Sequence, residues 1–297
     1  MMHNDDKMNT TFSNMTSLED HKRALTIILR ELDRVCKELD IPYILFAGTM
    51  LGAVRHGGFI PWDDDVDVLM LRDDYNRFLN EADGILNREQ FLLQKEFSEH
   101  WPMFFSKLRL KNTTCLEKYP VKDREMHHGI YIDIFPCDNA AKTKFGRKLQ
   151  FYASKVVIAK SLDRRGYITH SKGKKIFMGL CKLLPTKPFW RLAVKGSADS
   201  KFVHSFFAAA SKCSKNIYPR EYISHTTNAS FEGAEYPISK HYDSLLKILY
   251  GDYMQLPPPE ERKIKQHAVI VDLNNSYEKY LDYHKELKFD DLSQSIR

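Results

Sequence analysis

No apolar run in the 297-residue sequence reaches the roughly 18 residues that a bilayer span needs, which sets aside a polytopic membrane protein. The N-terminal stretch MMHNDDKMNTTFSNMTS is polar and has no apolar core of the kind that a secretory signal carries. The expectation is a cytoplasmic chain whose residues 1–16 are a disordered leader. Cysteine is scarce: Cys36, Cys115, Cys137, Cys181 and Cys213 lie far apart with no C-x-x-C pair. That spacing argues against a zinc ribbon, and the odd count against a complete disulfide framework. There is no internal repeat and no low-complexity tract. What is present, 43% hydrophobic and 12% aromatic residues, is enough for a buried core rather than a disordered chain.

The formal charge of +6 is unevenly spread. Residues 142–216 hold eighteen Lys or Arg against two acids, Asp163 and Asp199, a net +16 that leaves −10 for the rest. A basic middle between acidic flanks predicts one surface made for an anionic partner.

Ser17 to Asp40 reads as a helix, with Ser17 and Asp20 forming a capping box. Leu25, Ile28, Leu29, Leu32, Val35, Cys36 and Leu39 make its apolar stripe. Tyr43 to Thr49 reads as a buried strand, Met50 to Arg55 as a helical turn, Asp63 to Leu71 as a second strand, and Arg72 to Ala82 as a helix. Further strands are expected at Phe91–Gln94, Phe104–Lys111, Thr113–Lys118 and Gly129–Phe135. Basic amphipathic helices are expected at Phe145–Lys160, Lys172–Leu184 and Phe189–Lys212, and another helix at Ser239–Tyr250, before an extended LPPPEER turn and a last helical stretch. The fold class is therefore α/β (α+β): a mixed-sheet core over 17–140, a basic helical insertion over 141–216, and a C-terminal part, 217–297, that completes the core.

GTMLGAVRHGGFIPWDDDVDV, Gly48 to Val68, places four aspartates within five positions between apolar segments. Clustered carboxylates repel, and apolar neighbours leave that repulsion poorly screened. On a strand, Asp63, Asp65 and Asp67 share a face while Val66 and Val68 point inward, with Asp64 the odd one out. Three carboxylates at the edge of a buried strand suit a hard divalent cation such as Mg²⁺, with Mn²⁺ as its substitute. An EF-hand is excluded, because position 6 would be Val68 and position 12 Asp74. A solvated acidic turn is the plainer alternative, but it leaves the flanking FIPW and VLML unexplained. A glycine-containing turn followed by carboxylates on the next strand is the layout of a nucleotidyltransferase core. Backbone N–H groups around Gly48 and Thr49 would hold a phosphate, and the metal would bridge phosphate oxygens. Asp133, between Ile132 and Ile134 in GIYIDIFPCD, supplies a further acid.

The same blocks, followed by FSKLRLKNTT, GIYIDIFPCD and LKILYGDYMQLPPPEER, resemble the LicD family of phosphocholine transferases, whose relatives include fukutin-type transferases. The likeness runs from about Tyr43 to Arg262. It implies transfer of phosphocholine from CDP-choline to a hydroxyl of a cell-surface glycan precursor, of lipopolysaccharide or teichoic acid type, with release of CMP. By motif position, Asp63, Asp65 and Asp67 would be the metal carboxylates and Asp133 either a ligand or the base. Gly48 and Thr49 would contact the donor phosphates, with Arg55 and His56 lining the same turn. Many members end the last block with two histidines, whereas KIKQHAVIVD has His267 alone.

Lys107 and Arg109, two apart on a strand, would share a face and grip the donor phosphates. Trp62, Tyr131 and Phe135 are aromatic candidates for a quaternary ammonium. His127 and His128 read as ligands or, more plainly, as a polar loop. The same chemistry could move ribitol phosphate, glycerol phosphate or a nucleotide. A non-catalytic nucleic-acid module using 142–216 is the rival of a different class, but no recognition motif supports it and no nucleic acid is expected. The basic helices also fit peripheral contact with the anionic inner face of a membrane.

Overall fold

The computed structural model describes residues 16–120, 123–208, 212–262 and 267–286. Apart from Thr16, the leader expected over 1–16 lies outside them. Helix α1 (Leu18–Glu38) starts where Ser17 caps it: the Ser17 hydroxyl accepts from the Asp20 amide at 3.0 Å and donates to its carboxylate at 2.6 Å. Its stripe from Leu25 to Cys36 is buried. Strand β1 (Ile44–Leu45) runs straight into α2 (Ala47–His56), then β2 (Asp67–Leu71) and α3 (Arg72–Glu81). Strands β3 (Phe91–Gln94), β4 (Ser106–Leu110), β5 (Thr114–Glu117) and β6 (Tyr131–Asn139) follow. The basic stretch forms α4 (Lys144–Arg165), α5 (Lys172–Leu183) and α6 (Thr186–Val194). The chain then returns as β7 (Phe202–His204) and β8 (Ile217–Pro219), the short α7 (Glu221–Ser224), β9 (Thr226–Phe231), β10 (Ala234–Ser239), α8 (Tyr242–Tyr250), β11 (Ala268–Asp272) and α9 (Leu281–Glu286).

The main sheet is mixed, in the order β1-β2-β6-β4-β3, and β7 extends it by pairing with the far end of β6 and with β8. Among the described residues only β2 and β6 pair in parallel, and their register sets Asp67 beside Asp133. Antiparallel β4 lies on the other side of β6 and sets Lys107 beside Asp133. The sheet centre is apolar: Val68, Leu69, Ile132 and Ile134 are fully buried, and α1 packs across β4 and β6. The α/β (α+β) class expected from the sequence is the class observed.

Several elements differ from expectation. The first strand stops at Leu45 instead of Thr49, because Ala47 takes a left-handed φ of +47° and turns the chain into α2 at once. The second strand starts at Asp67, so Asp63 to Val66 approach it as irregular chain. The helix expected over 189–212 ends at Val194. Gly196 passes so near β6 that a Cβ there would sit 1.8 Å from the Asn139 carbonyl oxygen, and this approach delivers β7 to the sheet. Tyr242, not Ser239, opens α8, and β11 pairs with β5 in the stretch where a last helix was expected.

A buried ion cluster joins the start of α3, β6 and the turn after β3. Arg72 donates to Asp138 through Nε at 2.7 Å and Nη2 at 3.1 Å, and to Glu96 through Nη1 at 2.8 Å. Asp138 is fully buried, so removing its partner leaves a carboxylate with no water to replace it. Arg72→Met should cost about 3–5 kcal/mol of stability, read as a lowered midpoint in urea unfolding. A loss below about 1 kcal/mol would mean that this cluster does not hold the sheet to α3.

Candidate active site

The left-handed turn at Ala47 puts Gly48 and Thr49 in the first turn of α2, next to the aspartate segment. A Cβ on Gly48 would lie 2.8 Å from Asp63 Oδ2, so the missing side chain is what lets that carboxylate approach the helix. Thr49 is buried and its hydroxyl accepts from the Asp67 amide at 2.9 Å, tying the first residue of β2 to α2. Lys22 on α1 holds the approach from outside, donating to the carbonyls of Ile60 and Pro61 at 3.1 Å each.

Although Asp63 to Val66 are not in the strand, burial still alternates: Asp64, Val66 and Val68 are buried, while Asp63, Asp65 and Asp67 are only partly so. Asp64 is therefore in phase with the valines, and it is satisfied from the far end of the chain. His267, just before β11, donates through Nδ1 to Asp64 Oδ1 at 2.5 Å and through its backbone N–H to Oδ2 at 3.1 Å. The same Nδ1 is 4.0 Å from Asp65. Hydrogen bonding to Asp64, against a smaller effect of burial, raises the His267 pKa from its ordinary 6.5 to about 9. Burial alone would raise Asp64, but bonding and charge from His267 outweigh it and leave that carboxyl lowered.

The other acids are relieved less. Burial, then repulsion from Asp65 and Asp64, pushes Asp63 up to about 7. Burial raises Asp67 well above the usual carboxylate range, with Asp65, Asp133 and Asp63 adding to it. Asp65 and Asp133 are raised mainly by burial, partly offset by His267 and by Lys107 respectively. Tyr250, at the end of α8, also senses the cluster: burial and then the charges of Asp67, Asp63 and Asp65 raise its phenol. Among the described residues no three His, Cys, Asp or Glu side chains close into a metal cage. The donor set is instead an open carboxylate face with excess negative charge. That chemistry fits a hard divalent cation which keeps water and substrate oxygens among its ligands.

Lys107 and Arg109 share a face, as expected, but neither is exposed. Lys107 Nζ lies 3.1 Å from Asp133 and 3.3 Å from Glu117, over the ring of Tyr131. Arg109 donates to Gln94 at 2.7 Å through Nε and to the Gly129 carbonyl at 2.7 Å through Nη1. Burial commits Arg109 to holding β4 against its neighbours, so a grip on donor phosphates does not fit it. Lys107 faces the site through Asp133. Arg55 and His56 likewise do not line the Gly48–Thr49 turn: α2 is one continuous helix, and they stand at its other end, about 10 Å along the axis. There Arg55 donates to the Tyr253 carbonyl at 2.6 Å, and burial and then nearby Arg262 lower its pKa.

Of the aromatic candidates, Tyr131 already carries Lys107 on its face and Phe135 is buried against Phe105. Trp62 is partly exposed beside Arg262, and Tyr250 is 45% exposed next to the acids. His127 and His128 pack on Tyr277, with ring centroids 4.9 and 5.6 Å away, so they form a packed turn rather than a solvated loop. His267 was visible in the sequence without a role, and Lys22, Glu117 and Tyr250 were not singled out. The one local signal was that Asp64 stands two residues before Val66, on the inward phase.

Because the folded pKa of His267 is raised, its stabilisation is complete below about pH 6.5 and is lost as pH rises through about 9. The imidazole is 40% exposed, so solvent screening reduces the effect to about 1–2 kcal/mol. The stability difference between wild type and His267→Gln should shrink by that amount between pH 6 and pH 9.5 in urea titrations. A constant difference would dismiss the charged pair.

Residues 40–163, which hold Asp63, Asp65, Asp67 and Asp133, match the family model described as LicD/FKTN/FKRP, nucleotidyltransferase domain. The lipopolysaccharide cholinephosphotransferase LicD of Haemophilus influenzae is 27% identical over 277 aligned positions, spanning 83% of this chain and 95% of that protein. An uncharacterised protein of Rickettsia prowazekii is 29% identical over 115 residues, 38% of this chain and 39% of the other. The aspartates thus lie inside the matched domain, and the chain is similar to a LicD protein over most of its own length and almost all of that protein's.

Proposed function

We propose that the protein transfers phosphocholine from CDP-choline to a hydroxyl of a cell-surface glycan precursor of lipopolysaccharide type, releasing CMP. The observation that carries this reading is the convergence of Asp63, Asp65, Asp67 and Asp133, partly buried and without enough positive charge, beside the first turn of α2. The activity for which the Haemophilus relative is named supports the transferred group and the acceptor class. Mg²⁺, or Mn²⁺ in its place, would be held by Asp63, Asp65 and Asp67 and would neutralise charge on the donor phosphates.

The residues themselves divide the remaining work. The acceptor oxygen attacks the choline-bearing phosphorus, the bond from that phosphorus to the CMP oxygen breaks, and the hydroxyl proton passes to a carboxylate. Asp133 suits that base: burial raises its proton affinity, and Lys107 at 3.1 Å fixes its position. If Asp133 is instead a further metal ligand, Lys107 limits the repulsion it adds. The N–H groups of Gly48 and Thr49, in the first turn of α2, would hold the donor phosphates, and Arg55 with Arg262 supplies positive charge near Tyr250. Trp62 and Tyr250 are the aromatic surfaces left open for a quaternary ammonium.

A donor screen for CMP, comparing CDP-choline, CDP-ribitol and CDP-glycerol with and without EDTA, tests this directly. CDP-choline should be preferred and EDTA should abolish turnover, whereas preference for another donor would reassign the transferred group. Asp65→Asn should lower turnover by at least about 100-fold, as loss of a strong electrostatic contact does, and full activity would remove the metal assignment. Asp133→Asn separates its two roles by calorimetry. A base variant keeps donor affinity and loses transfer, while a ligand variant loses both. Normal transfer and binding would make Asp133 structural.

A further inference from the structure

Apolar side chains of the basic segment fall into two groups. Phe151, Val156, Ile158, Phe189 and Trp190 turn inward: Val156 is buried, Phe151 packs on Phe206 at 5.2 Å, and Trp190 meets Phe97 at 6.1 Å. Those on α5 and just beyond it do the opposite. Ile176 is 66% exposed, Leu180 60% and Leu183 84%, and their i, i+4, i+7 spacing makes one stripe, with Phe177 at its border. Ten of the twelve residues of α5 are exposed; its apolar packing on the protein is through Met178 and Cys181, against Val156, Ala159 and Phe189, and Lys182 pairs with Asp163 of α4 at 3.0 Å.

This helix is nevertheless well anchored. Ser171 caps its start, and Lys160 donates to the carbonyls of Cys181, Lys182 and Leu184 at its end, at 3.2, 3.1 and 2.5 Å. A fixed helix that keeps its apolar stripe in water has a surface prepared for a partner. Charge tells which partner. Lys172, Lys174 and Lys175 lie on the same helix with no acid among its residues, and among the described residues only Lys182 of its lysines is paired, with Asp163 of α4, in a segment with sixteen more cations than anions. A second copy would bring the same positive charge to the same face and be repelled. Nucleic acid would satisfy the lysines but not the leucines. Anionic headgroups over acyl chains satisfy both.

We propose that the outward face of α5 docks the protein on an anionic bilayer, with Ile176, Leu180 and Leu183 in the headgroup boundary and the lysines at the phosphates. No helix among the described residues is long and apolar enough to cross a membrane, so this contact is peripheral. It deepens the proposed function only by placing the site where a lipid-linked acceptor resides; binding itself does not depend on that reading.

The test is sedimentation of the full chain with vesicles of phosphatidylcholine alone or with one quarter phosphatidylglycerol. Wild type should partition at least about tenfold more strongly to the anionic vesicles at low salt, and much less at about 0.5 M salt. Leu180→Asp/Leu183→Asp should lose about tenfold of that partitioning with an unchanged circular dichroism spectrum and melting temperature. Both positions are solvent-exposed and away from the aspartates, so CMP release with a water-soluble acceptor should be unaffected. A failed donor screen therefore leaves the vesicle result intact, and the reverse also holds. No binding to either vesicle, equal binding to both, or equal binding by the variant would overturn the proposal. So would a concentration-dependent dimer that the variant abolishes, or salt-sensitive retention of an oligonucleotide without vesicle binding.

Discussion

Mutual repulsion among partly buried carboxylates is the constraint around which this molecule is arranged. Asp67 and Asp133 are neighbours because β2 and β6 are parallel and in that register. Asp63 and Asp65 join them because the chain folds back over a glycine at the start of α2. Each contact that brings these groups together costs electrostatic energy in a poorly screened place. The fold has to supply it from the apolar sheet behind them, where Val68, Leu69, Ile132 and Ile134 are closed to water.

Two cations limit that cost without cancelling it. His267 neutralises Asp64, the one acid turned inward, and so keeps the site from carrying a fifth raised carboxylate. Lys107 stands on the opposite flank and divides its charge between Asp133 and Glu117. Between them the remaining acids stay raised, a condition suited to a group that must accept a proton or a metal at neutral pH. The site is thus held short of neutrality by geometry rather than left unfinished.

The parts of this arrangement that are local were legible in the sequence. Four aspartates between FIPW and VLML announced an acid cluster beside a core, and Asp133 between two isoleucines announced its partner. The cap of α1, its stripe, and strands such as Phe91–Gln94 follow from short-range pattern alone. What could not be read was set by contacts far apart in the chain. His267 and Asp64 are 203 residues apart, and no spacing rule links them. The alternation of Lys107 and Arg109 gave their common face but not its burial, because only the strand beyond decides which side of β4 is closed. The left-handed Ala47 offers no residue signal, so Gly48 and Thr49 read as the end of a strand, and Arg55 was drawn too near them. Gly196 looked like a helix position until the carbonyl of Asn139 was seen to occupy the space of its side chain.

Arg165 is the last residue of α4, buried, and its guanidinium binds the Glu117 carboxylate that also holds Lys107. By charge count the basic helices look like a removable accessory, yet their first helix ends inside the ionic network of the site. Modularity is therefore incomplete. Excising the segment would strip Glu117 of one of its two cations and draw Lys107 away from Asp133, and grafting it onto another scaffold would carry a counter-charge along with a surface. A chimera with a related protein has to keep its crossover points outside the pair formed by Arg165 and Glu117, or exchange both residues together.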